Sequence, residues 1–325
     1  MGTHYHQLTQ EQRYQIWGLH NSGRTLSEIG TTLGCHKSTV SRELRRNRDQ
    51  ECYEPKQAHI LSVQRKRQAW KSSKQCVETD RLIAVLIQRG WSPAALSVRM
   101  KIEPSYSGRL LSHTTIYQRI AADKRRGGKL YRYLPRFGKK RWKGGKRNKQ
   151  AGAKLIPDRV DISQRPAVVD KRSRLGDWEG DMVHGQSAHL VTLVERSSRF
   201  TLVRRVFSKQ KKEVADAMIG LLSQVSKKRT LTLDNGGEFA DHVRVSQNTG
   251  TRIFFARPYA SWQRGTNENT NGRIRRFWPK KFDLGTLSDQ QIAAKIWLLN
   301  FTPRLVLGGL TPIEVLTGKR VALIT

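Results

Sequence analysis

Between residues 176 and 277 the chain alternates β-rich runs with helical ones, and this order constrains the fold more than any other feature. One amphipathic helix follows the third predicted strand, and a helix follows each of the last two strands. The β-rich runs are GDWEGDMVHG, HLVTLVERSSRFTLVRRVF (two strands), KRTLTLDNGG and TRIFFARPY. The order is three strands, helix, strand, helix, strand, helix. This order predicts an α/β domain whose mixed sheet carries helices on its faces.

Three acidic residues stand at matching places in this pattern. Asp181 lies on the first strand, Asp234 ends the fourth, and Glu268 falls on the helix after the fifth. If the first and fourth strands pair, two carboxylates become neighbours and the helix can supply the third. Asp177 and Glu179 share a strand face with Asp181, because side chains alternate with a period of two, so the first position of the trio is open on pattern alone.

The helix that carries Glu268 lies in ASWQRGTNENTNGRIRRFWP. Thr266 is the predicted N-cap. Helical spacing then places four residues on one face, namely Glu268, Asn271, Gly272 and Arg275. A carboxylate beside a cation suits a metal next to a phosphate. The alternative is an ordinary charged surface helix.

Clustered carboxylates repel one another unless a cation neutralises them, so the trio predicts a divalent metal site. Mg²⁺ fits the hard oxygen donors best, with Mn²⁺ as a substitute. Two ions would support in-line displacement at phosphorus by water or by a DNA 3′-hydroxyl. The histidines, including His184 and His242, are expected to pack or stay polar rather than bind metal. Three tryptophans line the cleft or simply pack, namely Trp178, Trp262 and Trp278.

The charge of the chain predicts a polyanionic partner. Lys and Arg number 61 against 26 Asp and Glu, a formal net charge of +35, and residues 1–150 alone carry 32 basic against 10 acidic side chains. Double-stranded DNA is the expected partner. Three cysteines without a CxxC pair support neither a disulfide framework nor a zinc ribbon. The absence of a long apolar run or a signal region predicts no membrane association and a cytoplasmic, nucleoid-associated protein.

The first fifty residues predict a helix-turn-helix domain. Capping boxes begin two helices at Thr9 and Thr25, and a third runs from about Lys37 to Asn47. The first part of that third helix would face base edges, and later arginines would lie nearer phosphates. The DNA-contacting candidates are Lys37, Ser38, Thr39, Ser41, Arg42, Arg45, Arg46 and Arg48. The alternative is a three-helix bundle with a polar face.

A second helix-turn-helix is predicted in residues 81–123. Ser92 and Pro93 begin one helix, and Ser112 begins another after a long loop. Candidates for DNA contact here are Ser112, His113, Thr114, Thr115 and Arg119. Residues 124–149 hold 13 Lys or Arg and no acid. They are interpreted as either a charged linker or an arm that follows DNA phosphates.

Taken together, these motifs resemble the insertion sequence 30 family of bacterial DDE transposases. LTQEQRYQIWGLHNSGRTLSEIGTTLGCHKSTVSRELRRN resembles its first helix-turn-helix, and WSPAALSVRM with SHTTIYQRI its second. GDWEGDMVHG, TLDNGGEF and SWQRGTNENTNGRIRRFWPK resemble its catalytic blocks, and LNFTPRLVLGGLTPIEVL its ending. Asp234 and Glu268 also have the 33 intervening residues of the family motif.

The resemblance implies a ribonuclease-H-like, integrase-type catalytic domain after all-α DNA-binding domains. By analogy with the family motif, the expected catalytic, metal-binding trio is Asp181, Asp234 and Glu268, and Arg275 is expected to contact DNA. The implied activity is DNA strand cleavage and strand transfer at terminal inverted repeats, by a homo-oligomer on paired ends and through a circular intermediate. The chain departs from the family pattern at Asp177, where a histidine is expected, and at Pro279-Lys280-Lys281, where the family has PKG.

The expected domains are a helix-turn-helix domain (1–50), a connector (51–80), a second helix-turn-helix-like domain (81–123), a basic arm (124–152) and the catalytic domain (153–325). No small-molecule substrate is expected. Two other functions are also compatible with these sequence features. One is a DNA-binding regulator with an inactive catalytic domain, and the other is a metal-dependent nuclease that cleaves without joining.

Overall fold

The computed structural model describes residues 7–49, 52–68, 77–103, 110–138, 156–258 and 260–321. These form two compact units, residues 1–80 and 81–325. The helices are α1 (Gln10–Asn21), α2 (Leu26–Thr32), α3 (Lys37–Asn47), α4 (Pro55–Gln68), α5 (Val77–Gln88), α6 (Pro93–Ile102), α7 (His113–Arg125), α8 (Val168–Lys171), α9 (Lys211–Ser223), α10 (His242–Thr249), α11 (Gly265–Phe277), α12 (Asp289–Asn300) and α13 (Pro312–Thr317). The strands are β1 (Arg48–Asp49), β2 (Cys52–Tyr53), β3 (Asp177–His184), β4 (His189–Glu195), β5 (Thr201–Val206), β6 (Thr230–Leu233) and β7 (Arg252–Phe255).

The first unit packs α1 to α4 around a small apolar core. Ile16, Ile29 and Val40 are fully buried, one from each of the first three helices. Both predicted capping boxes form, at Thr9 with Gln12 and at Thr25 with Glu28. Helix α3 begins and ends where the sequence predicted. The helix-turn-helix order is therefore confirmed in this unit.

The second unit begins within α5, and helices α5, α6 and α7 share their own apolar core. Leu86, Leu96 and Ile116 are fully buried there. Ser92 and Ser112 cap α6 and α7 as predicted, each accepting a hydrogen bond from the backbone N–H three residues on. Residues 104–109, in the loop between these helices, lie outside the described residues, as do residues 139–155, which include the second half of the basic arm.

The rest of the second unit is an α/β fold around a five-stranded mixed sheet of order β5-β4-β3-β6-β7. β3 pairs antiparallel with β4 and parallel with β6. Helices α9 and α10 pack on one face, and α11 and α12 pack on the other. The predicted order of strands and helices is confirmed. Within the described residues, no helix is long and apolar enough to cross a bilayer.

Candidate active site

Sheet register brings Asp181 and Asp234 together. In the parallel pair of β3 and β6, Asp177 lies opposite Thr230 and Glu179 opposite Thr232. Trp178 and Met182 point into the core shared with α9, so the odd-numbered positions of β3 face α11. Asp181 lies two residues beyond Glu179 on β3, and Asp234, directly after the end of β6, lies two residues beyond Thr232. Continuing the register therefore places Asp181 beside Asp234.

Arg264 bridges these two carboxylates. Its Nη2 donates to Asp234 Oδ2 at 2.7 Å, and its Nη1 lies 3.7 Å from Asp181 Oδ1. The same Nη1 donates to the carbonyl of Gly180 at 2.8 Å. Arg264 therefore ties both strands to the segment that leads into α11. Arg264 is not among the site residues that the sequence predicts, although its place four residues before Glu268 puts it on the same helical face.

Asn271 completes the contacts of Asp181. Its Nδ2 donates to Asp181 Oδ2 at 2.7 Å, and the Met182 backbone N–H donates to Oδ1 at 2.8 Å. Burial raises the pKa of Asp181, and the nearby Asp234 adds to this, while Arg264 works in the opposite direction. A carboxylate in this setting is less favourable as an anion than it would be in water.

Glu268 lies in the first turn of α11 and is exposed. Its neighbours on the same helical face, Arg264 and Asn271, both approach Asp181. Within the described residues, however, no group of three or more His, Cys, Asp or Glu side chains lies close enough to hold a metal ion. The structure thus brings together Asp181 and Asp234 of the predicted trio and leaves Glu268 on the adjoining helix face.

The two other acids of β3 are occupied elsewhere. Asp177 is bound by Arg174 and accepts a hydrogen bond from the Thr230 hydroxyl at 2.8 Å. Glu179 is fully buried, paired with Arg196 at 2.8 Å, and accepts the Asn267 backbone N–H at 3.0 Å. Both therefore support the fold, and Glu179 fixes the first turn of α11 against β3.

The start of α11 differs from the prediction. Thr266 is not the N-cap, because the helix already begins at Gly265 and Arg264 occupies the cap position. The buried Thr266 hydroxyl instead accepts hydrogen bonds from Arg199 at 2.8 Å and from Arg172 at 3.4 Å. These arginines hold the oxygen that a cap would need.

Arg275 lies at the far end of the same face. Its Nη2 donates to the His184 carbonyl at 2.7 Å, and its buried Nη1 has no partner among the described residues. Burial lowers the pKa of both Arg275 and His184. His242 packs edge-on against Phe255, as expected of a structural histidine. Trp178 and Trp278 are buried in the two cores, whereas Trp262 is 75% exposed.

Most DNA-contacting candidates on α3 and α7 are exposed, whereas Ser38, Thr39, Thr115 and Arg119 are half-buried. On α3, Lys37, Ser41, Arg42, Arg45 and Arg46 are exposed, as are Ser112, His113 and Thr114 at the start of α7. Arg42 folds back onto Ser38, donating to its hydroxyl at 3.0 Å. These side chains can reach a ligand without repacking either core.

Comparison with known proteins identifies two regions. Residues 4–47 match the family described as a helix-turn-helix domain, and residues 172–261 match the integrase core domain. The second match includes Asp181 and Asp234 and ends before Glu268. A retroviral assembly, the simian T-cell lymphotropic virus intasome in complex with PP2A regulatory subunit B56 gamma, has a chain with a TM-score of 0.38 and 17% identity, covering 45% of this chain and 56% of that one.

Full-length relatives are more informative. The transposase of insertion sequence element IS4351 from Bacteroides fragilis is 37% identical, covering 94% of each chain. The transposase of IS1086 from Cupriavidus metallidurans is 34% identical over 97% of this chain and 95% of its own. Transposase InsI of IS30C from Escherichia coli is 32% identical over 95% of this chain and 83% of its own. The chain therefore belongs to the insertion sequence 30 family of transposases.

Proposed function

We propose that the protein binds the terminal inverted repeats of an insertion sequence, cuts DNA strands at those ends and joins the freed ends to new phosphodiesters. The observation that carries this proposal is the side-by-side placement of Asp181 and Asp234 on parallel strands, next to the helix that bears Glu268. Family membership indicates DNA as the substrate class, and the geometry of the site indicates which residues would carry out the reaction.

Asp181, Asp234 and Glu268 are the residues proposed to hold Mg²⁺, or Mn²⁺ in its place. The donor set fits a hard cation, because the two strand carboxylates share one guanidinium and the Asn271 side chain adds an amide beside them. A bound pair of such ions would activate the attacking oxygen and stabilise the leaving oxygen. Arg264 must give up its place between the carboxylates for both to serve as ligands.

The proposed chemistry has two displacements at phosphorus. In cleavage, a water oxygen attacks the phosphorus at the transposon end, and the 3′-oxygen leaves and takes up a proton. In joining, that 3′-hydroxyl attacks a second phosphodiester, bonds to its phosphorus and displaces the 3′-oxygen of that strand. Arg275 lies at the end of the site face and is proposed to hold a DNA phosphate, which requires its buried, unpartnered Nη1 to become exposed.

The helix-turn-helix units are proposed to position the ends. Helix α3, with its exposed Arg42 and Arg45, would enter a major groove, and α7 would contact a second segment. A homo-oligomer of the chain on paired ends would form the active complex. Substituting the base-facing residues of α3 and of α7 in turn tests which helix reads the inverted repeat.

A second candidate function is a DNA-binding regulator without strand chemistry. The Arg264 bridge favours it, since a permanently held guanidinium would keep cations away from Asp181 and Asp234. The two functions differ in their products on labelled duplexes that carry the element's ends.

The deciding experiment incubates the full-length protein with these duplexes in Mg²⁺ or in EDTA and resolves the strands on denaturing gels. Nicked and joined strands that require Mg²⁺ are the expected result. Nicks without joined strands would identify a nuclease. End binding with neither product, in Mg²⁺ and in Mn²⁺, would identify the regulator.

A further inference from the structure

Four arginines converge on a face of α11 that the catalytic site does not use. Asn300, the last residue of α12, exchanges two hydrogen bonds of 2.9 Å with the backbone of Thr201. This pairing joins the end of α12 to the start of β5. It therefore brings the segments that carry Arg304 and Arg199 together.

Helix α11 supplies the other two members. Arg199 reaches its first turn through the Thr266 hydroxyl. Arg273 and Arg276 follow Thr266 at seven and ten residues, which places them on the same side of the helix. Glu268 falls on a different face, next to Asn271. We refer to Arg199, Arg273, Arg276 and Arg304 as the arginine cluster.

Neutral groups are the hydrogen-bond partners of the α11 arginines. Arg273 donates from Nε to the Asn269 side-chain oxygen at 3.2 Å. Arg276 donates to the carbonyl of Gly90, which precedes α6 in the chain, at 3.5 Å and to the carbonyl of Tyr133, which follows α7, at 3.0 Å. Both side chains are half-buried, so each retains access to solvent.

Arg304 forms the buried end of the cluster. Arg304 is only 4% exposed, and its Nη2 donates to the Leu299 carbonyl at 3.0 Å. Its Nε and Nη1 are buried and have no hydrogen-bond partner among the described residues. Burial, followed by the charges of Arg273, Arg199 and Arg276, lowers its pKa well below the ordinary value. A buried guanidinium with open donors next to three like charges is an unfavourable arrangement unless an anion joins it.

The described part of the chain offers no carboxylate to fill that role. None of the four arginines forms an ion pair there, and the acids whose charges raise the pKa of Arg199 are Glu179 and Glu195. Glu179 is bound by Arg196, and Glu195 accepts hydrogen bonds from Gly176 and Ser198. The cluster therefore keeps an uncompensated positive charge, and two donors of Arg304 are buried without a partner among the described residues.

We propose that the arginine cluster binds a backbone phosphate of DNA. Arg273 and Arg276 would meet the phosphate at the surface, and Arg304 would contact it from below. Guanidinium groups are suited to this role because their paired N–H donors match phosphate oxygens. The proposal rests on the DNA binding of the proposed function and does not require strand transfer. It would fix α11 to the DNA from the side opposite to the reacting strand.

The test measures the salt dependence of DNA binding by the full chain in EDTA, so that loss of catalysis cannot affect the result. Wild type, Arg273→Gln and Arg276→Gln are titrated by fluorescence anisotropy against a labelled duplex between 50 and 200 mM KCl. Loss of one phosphate contact makes the slope of log affinity against log salt shallower by about 0.9. Over that range, the affinity of each variant should fall about threefold less than that of wild type.

Arg244→Gln is the matched control, because Arg244 is already neutralised by Asp216 and Asp241 and should keep the wild-type slope. Arg304→Gln is measured as well, and if it does not fold, the two α11 variants decide. Unchanged slopes in both α11 variants would overturn the proposal. A second arm compares melting temperatures in inorganic phosphate and in chloride at equal ionic strength. Stabilisation by phosphate that the variants lose, without any change in slope, would assign the site to free phosphate and overturn its assignment to DNA.

Discussion

The buried ion pair between Arg99 and Glu314 should be the most sensitive single link in the second unit. Arg99 of α6 donates from Nη1 and Nη2 to the two carboxylate oxygens of Glu314 in α13, at 2.7 and 2.9 Å. Both side chains are 1% exposed. Glu314 also accepts the backbone N–H groups of Thr311 at 2.8 Å and Val321 at 3.1 Å. One carboxylate therefore holds the helices α5–α7 and the C-terminal segment together.

Replacing Glu314 with Gln leaves Arg99 buried beside a neutral group. Removing one partner of a buried pair costs about 3–5 kcal/mol. Arg99 retains Glu103, 2.7 Å away and 24% exposed, so the lower end of that range, about 3 kcal/mol, is expected. In a unit of this size each kcal/mol shifts the melting temperature by roughly 2–4 °C, so the predicted loss is about 6–12 °C.

Differential scanning calorimetry of the full chain measures this loss. Asp216→Asn is the control, because it removes an exposed partner of Arg244 at 2.8 Å and should cost less than about 1 kcal/mol. Glu314→Lys is expected to be worse than Glu314→Gln, since it places a second cation against Arg99. A loss in Glu314→Gln no greater than that of the control would show that the pair does not hold these helices together.

Three further predictions concern the site and the DNA-binding face. Arg264→Gln should raise Mn²⁺ affinity roughly fivefold, equivalent to about 1 kcal/mol, because the cation no longer competes with a guanidinium for Asp181 and Asp234; calorimetric titration that gives equal affinities would contradict this. Burial raises the pKa of Asp181, so in EDTA this group should add stability as the pH falls through that pKa. Asp181→Asn should therefore melt higher than wild type at pH 7.5 but not at a pH below the pKa of Asp181; equal melting temperatures at both pH values would refute the sign. On α3, Arg42→Gln should cost about 1–3 kcal/mol on the inverted repeat and little on scrambled DNA, whereas Arg45→Gln should weaken both and reduce the salt slope by about one; anisotropy with the two duplexes separates these outcomes.

Local sequence signals were sufficient for the order of strands and helices along the chain and for several helix starts. The capping boxes at Thr9 and Thr25 and the caps at Ser92 and Ser112 form as predicted, because a cap needs only residues three positions apart. Thr266 failed as a cap for a tertiary reason. Its hydroxyl accepts hydrogen bonds from arginines that are distant in sequence, and such contacts cannot be predicted from a local pattern.

The site was predictable in its acids and not in its arginines. Alternation of side chains along a strand puts three acids on one side of β3. The sequence does not show that Asp177 pairs with Arg174 and Glu179 with Arg196, because these ion pairs depend on the folded structure. Arg264 carried a usable signal, its spacing from Glu268, but its contact with both aspartates depends on the pairing of β3 with β6. The arginine cluster joins a hairpin, a helix and a C-terminal loop, and no local spacing relates those three segments.

The role of Glu268 as the third metal-binding carboxylate is the central claim, and its exposed position makes it directly testable. The measurement is single-turnover joining of pre-cut, labelled transposon ends in Mg²⁺, with end binding measured in parallel by anisotropy. Asp289→Asn serves as the control, since Asp289 is an exposed acid paired with Arg205. Joining lost in Glu268→Gln, with end binding and the control unchanged, is the predicted result. Joining by Glu268→Gln at the wild-type rate would contradict the account.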